Sequence, residues 1–310
     1  MSHPKPAPAL STTEKTFSSY NSAQGSAYSE VRRDYHPNLY KFVLEQHTST
    51  GGQLDRLVDV GCGPGLAARA LGPHFTSVIG LDPSEGMIAT ARSLGGVTST
   101  SEPIRYERAT AEELGGVEDS SVDLITSSNA AHWFDMAGFW PAAARVLKPG
   151  GTVVLWTSGE IRAHPSMPNS AAIQAAIEKH QEGPLMPYYV AGNLLPRNRY
   201  RGILLPWTLP EPVEAFDESA FIRKEWDSGE DFHVGESVAD LDTFEKLMAS
   251  GSAQVRWHQA HPDLVGTDKD LVKILRNEIE QLLHEAGVEK GKEMVKGAVS
   301  GAVLVVKKKL

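Results

Sequence analysis

An apolar strand, Arg56–Val60, runs straight into Gly61-Cys62-Gly63-Pro64-Gly65 and then into a helix beginning at Leu66. Few patterns limit a chain's fold so tightly. The glycines let the backbone turn sharply and approach a ligand without Cβ clashes. The helix behind them presents N–H groups that have no intrahelical partner. A phosphate-cradling loop with spacing GxxxxGK[ST] is excluded, because no lysine follows. A dinucleotide loop, GxGxxG, needs glycine at position 66, and the residue there is Leu66. What remains is a loop for a nucleoside with no pyrophosphate to hold. The next strand ends in Gly80-Leu81-Asp82, seventeen residues beyond Gly65 (82 − 65). An acid at the end of an adjacent strand can accept hydrogen bonds from both ribose hydroxyls.

Around this loop, from Leu54 to Thr157, short apolar strands alternate with amphipathic helices, the pattern of a parallel sheet with crossover helices. Strands are predicted at Arg56–Val60, Ser77–Leu81, Ile104–Arg108, Val122–Ser127 and Thr152–Trp156. Helices are predicted at Leu66–Leu71, Ser84–Leu94 and Met136–Leu147, the last ended by Pro149-Gly150-Gly151. Strand-like sequence returns at Phe221–Trp226 and Ala302–Val306. Further helices are expected at about Val238–Ser250 and Asp268–Glu285. In the second, Leu271, Ile274, Leu275, Ile279 and Leu282 form the apolar stripe.

Composition removes several function classes. The formal net charge of −9 argues against a nucleic-acid binder that relies on general electrostatic attraction. One cysteine, Cys62, leaves no disulfide framework, and eleven histidines without HxxxH or HExxH spacing give no support for a metal. No apolar run reaches the length of a membrane span and no signal-peptide core is present, so a cytoplasmic protein is expected. Nothing sets an oligomeric state.

Four blocks carry a resemblance to a known family. They are Leu57-Val58-Asp59-Val60-Gly61-Cys62-Gly63-Pro64-Gly65, Val78-Ile79-Gly80-Leu81-Asp82-Pro83-Ser84, Ala130-Ala131-His132-Trp133-Phe134-Asp135 and Arg145-Val146-Leu147-Lys148-Pro149-Gly150-Gly151. In this order they resemble the class I S-adenosylmethionine-dependent methyltransferases. The resemblance implies an α/β, Rossmann-like, seven-stranded and mostly parallel sheet with a reversed final hairpin, here Phe221–Trp226 against Ala302–Val306. It also implies S-adenosylmethionine as cofactor and a small-molecule acceptor. Arg197–Trp207 and Leu241–Trp257 look, more loosely, like the fungal trans-aconitate methyltransferase-like group, many of whose members act in secondary metabolism. The chain then divides into a disordered leader (1–13), a tyrosine-rich helical cap (14–50), a cofactor-binding core (51–157), a lid or acceptor insertion (158–220), and a segment completing the sheet with C-terminal helices (221–310).

Site residues follow by position. Asp82 is expected on the ribose, against the plainer role of a helix cap. Gly61, Gly63 and Gly65 shape the loop. The resemblance gives Asp59 the task of orienting the loop and the methionine amino group; its plainer role is a buried, hydrogen-bonded carboxylate. Thr110 and Ala111 fall where adenine is bound, although Thr110 stands where many relatives have aspartate. Met87 suits packing on adenine or simple core filling. Asn129, ending the fourth strand, is placed at the methionyl end. Tyr20, Tyr28, Arg32 and Tyr35 are spaced to line one side of the cleft, with Arg32 toward the cofactor carboxylate and Tyr20 toward the acceptor. His132 is a candidate base, with a structural histidine the competing reading, and Trp133 a pocket wall. Arg197, Arg199 and Arg201 would share one face of an extended segment and suit a polycarboxylate, or else form a solvated basic stretch.

The expected chemistry is O-methylation of a carboxylate or hydroxyl, with S-methylation of a thiol as the second reading. A cofactor-binding protein without transfer is the alternative of another class. Nucleic-acid methylation also lacks an Asn-Pro-Pro-Tyr type motif.

Overall fold

In the computed structural model, residues 16–227, 230, 232–233 and 237–310 are described. The expected leader 1–13 lies outside them. Two helices come first, α1 (Ser22–Val31) and α2 (Pro37–Thr48). The winding core follows as β1 (Arg56–Val60), α3 (Leu66–Leu71), β2 (Ser77–Asp82), α4 (Glu85–Leu94), β3 (Arg105–Arg108), β4 (Val122–Ser128), α5 (Met136–Val146) and β5 (Leu147–Ala163). After it come α6 (Ser170–Glu182), α7 (Ala191–Arg197), β6 (Phe216–Trp226), β7 (Ser237–Asp240), α8 (Leu241–Ala249), α9 (Ser252–Ala260), α10 (Leu271–Glu285) and β8 (Met294–Lys308).

The sheet order is β3-β2-β1-β4-β5-β8-β6, parallel through β5, with β8 antiparallel to both of its neighbours. The mostly parallel sheet and its reversed hairpin are therefore as expected. An eighth strand, β7, pairs with the early part of β8. It occupies the start of the helix expected at Val238–Ser250, because Asp240 caps α8 by accepting from the Thr243 amide. The span Leu241–Trp257 holds two helices, broken at Ser250-Gly251. Pro149-Gly150-Gly151 does not end α5 but lies inside β5, and the helix stops earlier, at Val146.

Period-two alternation splits the core between the two faces of the sheet. Val58, Val60, Ile79, Leu81, Val153 and Leu155 pack on one side with Phe139, Trp140 and Tyr200. Leu57, Val78, Leu124, Val154 and Trp156 pack on the other with Leu39, Val43 and Ile88. A third cluster joins Ile173 and Ile177 of α6 to Phe244 of α8 and to Leu275, Ile279 and Leu283 of α10. Residue 220 therefore does not separate two packing units. The buried stripe of α10 is Val272, Leu275, Ile279 and Leu283, whereas Ile274 is exposed, so the expected stripe is rotated from the one found. Among the described residues no helix is long and apolar enough to cross a membrane.

Candidate active site

The winding reverses between β1 and β4, and the loops leaving their carboxyl ends must diverge there, opening a crevice. On the β1 side, Gly61, Gly63 and Gly65 all have positive φ, at 64°, 53° and 83°. A Cβ on Gly61 would stand 2.5 Å from the Cβ of Ala130, so that glycine also lets the β1 and β4 loops touch. A Cβ on Gly63 would meet nothing within 4 Å, so its bare Cα faces open space. The loop is pinned to β2 twice. Cys62 N donates to the Leu81 carbonyl at 2.9 Å, and Gly63 N donates to Asp82 Oδ2 at 2.9 Å. Asp82 Oδ1 accepts from Ser84 N, also at 2.9 Å, and Ser84 Oγ caps α4 by accepting from the Met87 amide. A carboxylate oxygen carries two lone pairs, so accepting from an amide does not by itself bar it from accepting from a ligand hydroxyl. Burial pushes the Cys62 thiol up, so it stays protonated and inert.

On the β4 side, Asn129 adopts φ 49° and ties three elements together. Its Oδ1 accepts from Ser158 N at 2.7 Å, and its Nδ2 donates to the Tyr35 hydroxyl at 3.0 Å. Burial raises Tyr35 to about 12, so that hydroxyl keeps its proton. Tyr35 stands edge-on to His233, which stacks on Trp226 at 4.8 Å between ring centroids. Among the described residues neither ring nitrogen of His233 has a hydrogen-bond partner, and burial pushes the imidazole down to about 3. From the cap, the Arg32 guanidinium lies 4.5 Å over the Tyr28 ring. Phe17 meets both Tyr28 and Trp133 edge-on.

These groups enclose a cavity of about 330 Å³. Of the residues expected at the site, Gly61, Gly63, Asp82, Met87, Asn129, Tyr28, Arg32 and Trp133 line it together. Others do not. Asp59 is fully buried, and its Oδ1 accepts from the Thr126 hydroxyl at 2.8 Å, joining β1 to β4. Burial pushes this carboxyl up to about 7. Gly65, Thr110 and Ala111 lie off the cavity wall, and Tyr20 is buried against Phe17 and Tyr28.

His132 is also off the wall. Its Nδ1 pairs with the Tyr200 hydroxyl at 2.8 Å, and burial pushes the ring down to about 3, a weak base. The arginines do not form an extended face. Arg197 ends α7 and lies over the Tyr189 ring, and Arg199 has φ 52°. Arg199 pairs with Glu225 at 3.2 Å and Asp227 at 2.7 Å, and Arg201 pairs with Glu225 at 2.8 Å. Their charge is met inside the chain. Glu280, His284 and Glu293 bring three ligand-type atoms within 4.8 Å of one another, but His284 already binds Glu293 and Arg276 binds Glu280. His233 and the apolar residues at the far end of the cavity, Ile161, Phe244, Leu247 and Val299, were not singled out from sequence. Only the alternation of Val295, Gly297 and Val299 could have announced part of that wall.

Residues 58–155 match the methyltransferase domain family. The chain spans about half the length of the curated relatives it matches. One, from Saccharomyces cerevisiae and named as the S-adenosylmethionine-dependent methyltransferase CRG1, is 31% identical over 133 residues, covering 43% of this chain and 45% of that one. Another, the methyltransferase cfoB of Aspergillus candidus, is 29% identical over 151 residues, 47% of this chain and 46% of that one. The ubiquinone biosynthesis O-methyltransferase of Methylococcus capsulatus is 33% identical over 118 residues, 37% of this chain and 47% of that one. A solved structure named for a type II methyltransferase of Anaeromyxobacter dehalogenans has a TM-score of 0.59 at 20% identity. It covers 90% of this chain and 98% of that one, and shows the same fold.

The cofactor that goes with a methyltransferase domain of this class is S-adenosylmethionine. The cleft fits it: a bare Gly63 Cα facing open space, a carboxylate beside it at Asp82, and an apolar Met87 on the same wall.

Proposed function

We propose that this chain transfers the methyl group of S-adenosylmethionine to an oxygen of a small-molecule acceptor. The observation that carries the reading is Asp82, a carboxylate on the cavity wall that also holds the glycine loop through Gly63. Bound S-adenosylmethionine supplies a methyl group on a sulfonium, already a strong electrophile.

The protein's part is binding and positioning. Asp82 accepts from the ribose hydroxyls, Gly63 allows close backbone approach, and Met87 packs against the adenine. Arg32 meets the carboxylate and Asn129 the methionyl end. Trp133 and Phe17 close the wall near the acceptor and exclude water, so the barrier is lowered by alignment. The O-methyltransferase among the relatives supports oxygen as the nucleophile.

The finer likeness to trans-aconitate methyltransferase-like enzymes rests on Arg197–Trp207 and Leu241–Trp257. The arginines of the first segment are engaged by the chain's own carboxylates, and from the second only Thr243, Phe244 and Leu247 reach the cavity. Incubation with labelled S-adenosylmethionine and a panel of acids, phenols and thiols tests the reading. Methyl ester or ether formation supports it. Cofactor binding with no transfer to any acceptor would leave a binding protein instead.

A further inference from the structure

Beyond Asn129 and Ser158 the cavity changes character. β5 continues past an irregularity between Ser158 and Ile161, and in this extension Ile161 lies opposite Val299 and Ala163 opposite Gly297. β7 adds Ala239 opposite Val295. Because side chains alternate along a strand, Ile161, Ala163, Val295, Val299 and Ala239 share one face of a three-stranded panel. All five line the cavity, with Phe244 and Leu247 of α8 opposing them. The donor half, at Gly63, Asp82 and Asn129, is polar by contrast, and the two halves form one continuous space.

We infer that the acceptor is an acid with an apolar body, seated on the Ile161–Val299 panel beneath Phe244 and Leu247, with a single carboxylate presented near Asn129 and Trp133. This rests on the proposed methyl transfer. Three observations set the class. The panel's own side chains are apolar and offer no partner for a second or third carboxylate, and burying an unpaired charge against them is costly; of the arginines also on the cavity wall, Arg162 alternates to the other face of its strand from Ile161 and Ala163, and Arg33 donates to the Val238 carbonyl. Arg199 and Arg201, which would suit a polycarboxylate, are held by Glu225 and Asp227. The one imidazole among the described wall residues is a poor proton acceptor near neutrality. Burial pushes that ring, His233, down to about 3 and holds it neutral. Transfer to a carboxylate forms one O–CH₃ bond and breaks one S–CH₃ bond, the electron pair going to sulfur, and it moves no proton.

The test uses the whole chain. Calorimetry first measures S-adenosylhomocysteine, whose failure to bind would remove the underlying reading and the inference with it. Butyrate, hexanoate, octanoate and propane-1,2,3-tricarboxylate are then titrated into the complex, and each is offered as methyl acceptor. Affinity should climb along the series, by up to about fourfold per buried methylene, the equivalent of about 0.8 kcal/mol. The tricarboxylate should bind more weakly than octanoate. Leu247→Asp should weaken octanoate at least tenfold and leave S-adenosylhomocysteine within twofold. If S-adenosylhomocysteine binds but affinity is flat along the series, or the tricarboxylate binds best, the inference is overturned and the donor site stands.

Discussion

The Asp82 carboxylate and the Gly63 amide lie 2.9 Å apart, so the acid that ends β2 also fixes the shape of the loop that follows β1. A ligand on that wall meets a carboxylate and a backbone already set in place, with little ordering left to do on binding.

The glycines of the loop should therefore separate by role. Gly61→Ala places a methyl 2.5 Å from the Ala130 side chain at φ 64°, so it should lower stability by about 1–3 kcal/mol, seen as a lower melting temperature. Gly63→Ala meets no atom of the protein, so its stability loss should be smaller, set by its positive φ alone. Its effect on S-adenosylhomocysteine affinity should be the larger, about tenfold. Equal melting temperatures for the two variants would contradict the geometry.

Stability should respond to pH in opposite senses at two buried sites. His132 titrates at about 3 in the folded chain and 6.5 otherwise, so between those values the unfolded chain binds the extra proton. Its stabilising contribution is complete above 6.5 and is lost as pH falls. Asp59 titrates at about 7 folded against 3.8, so in that window the folded chain holds the extra proton and lowering the pH stabilises it. Each amounts to about 2 kcal/mol between pH 7 and pH 5. Denaturant titrations should show His132→Gln losing less stability on acidification than the parent and Asp59→Asn losing more. Identical pH slopes for all three proteins would refute both assignments.

Arg199 and Arg201 should behave as parts of the fold. Both reach Glu225, whose carboxyl is held down to about 2, first by its hydrogen bond from Arg201. Arg199→Gln should lower the melting temperature modestly and leave the KM for an anionic acceptor within twofold. A tenfold rise in KM at either position would restore these arginines to the acceptor site.

Asn129 links β4, β5 and the cap through Ser158 and Tyr35. Asn129→Ala loses those bonds while keeping an unfavourable left-handed backbone, at a cost of about 1–3 kcal/mol, whereas Asn129→Gly recovers the backbone term. Both should weaken S-adenosylhomocysteine. Should thermal unfolding show the glycine variant no more stable than the alanine one, backbone strain at this position plays no part.

What could be read before folding follows from how local each signal is. The loop from Gly61 to Gly65 and Asp82 are legible because strand, turn and helix lie within a short stretch of chain, and the reversed β6–β8 hairpin follows from its likeness to known relatives. For Asp59 the sequence leaves two readings open, because a strand residue's face depends on its neighbours, and the bond from Thr126 matches the buried, hydrogen-bonded one. His132 looked exposed to the cleft until Tyr200, distant in sequence, claimed its Nδ1. The arginine triad carried an alternation that only an extended backbone would honour, and α7 and the turn at Arg199 removed it. The apolar half of the cavity is assembled from β5, β7, β8 and α8, and no local pattern announces such a union.

The most direct test of the account is calorimetric titration of S-adenosylhomocysteine into the parent chain and into Asp82→Ala. One saturable site is expected on the parent and at least tenfold weaker binding to the variant, the loss of charge-assisted hydrogen bonds of about 1.5–3 kcal/mol. No binding to the parent, or equal affinity in the two proteins, would contradict it.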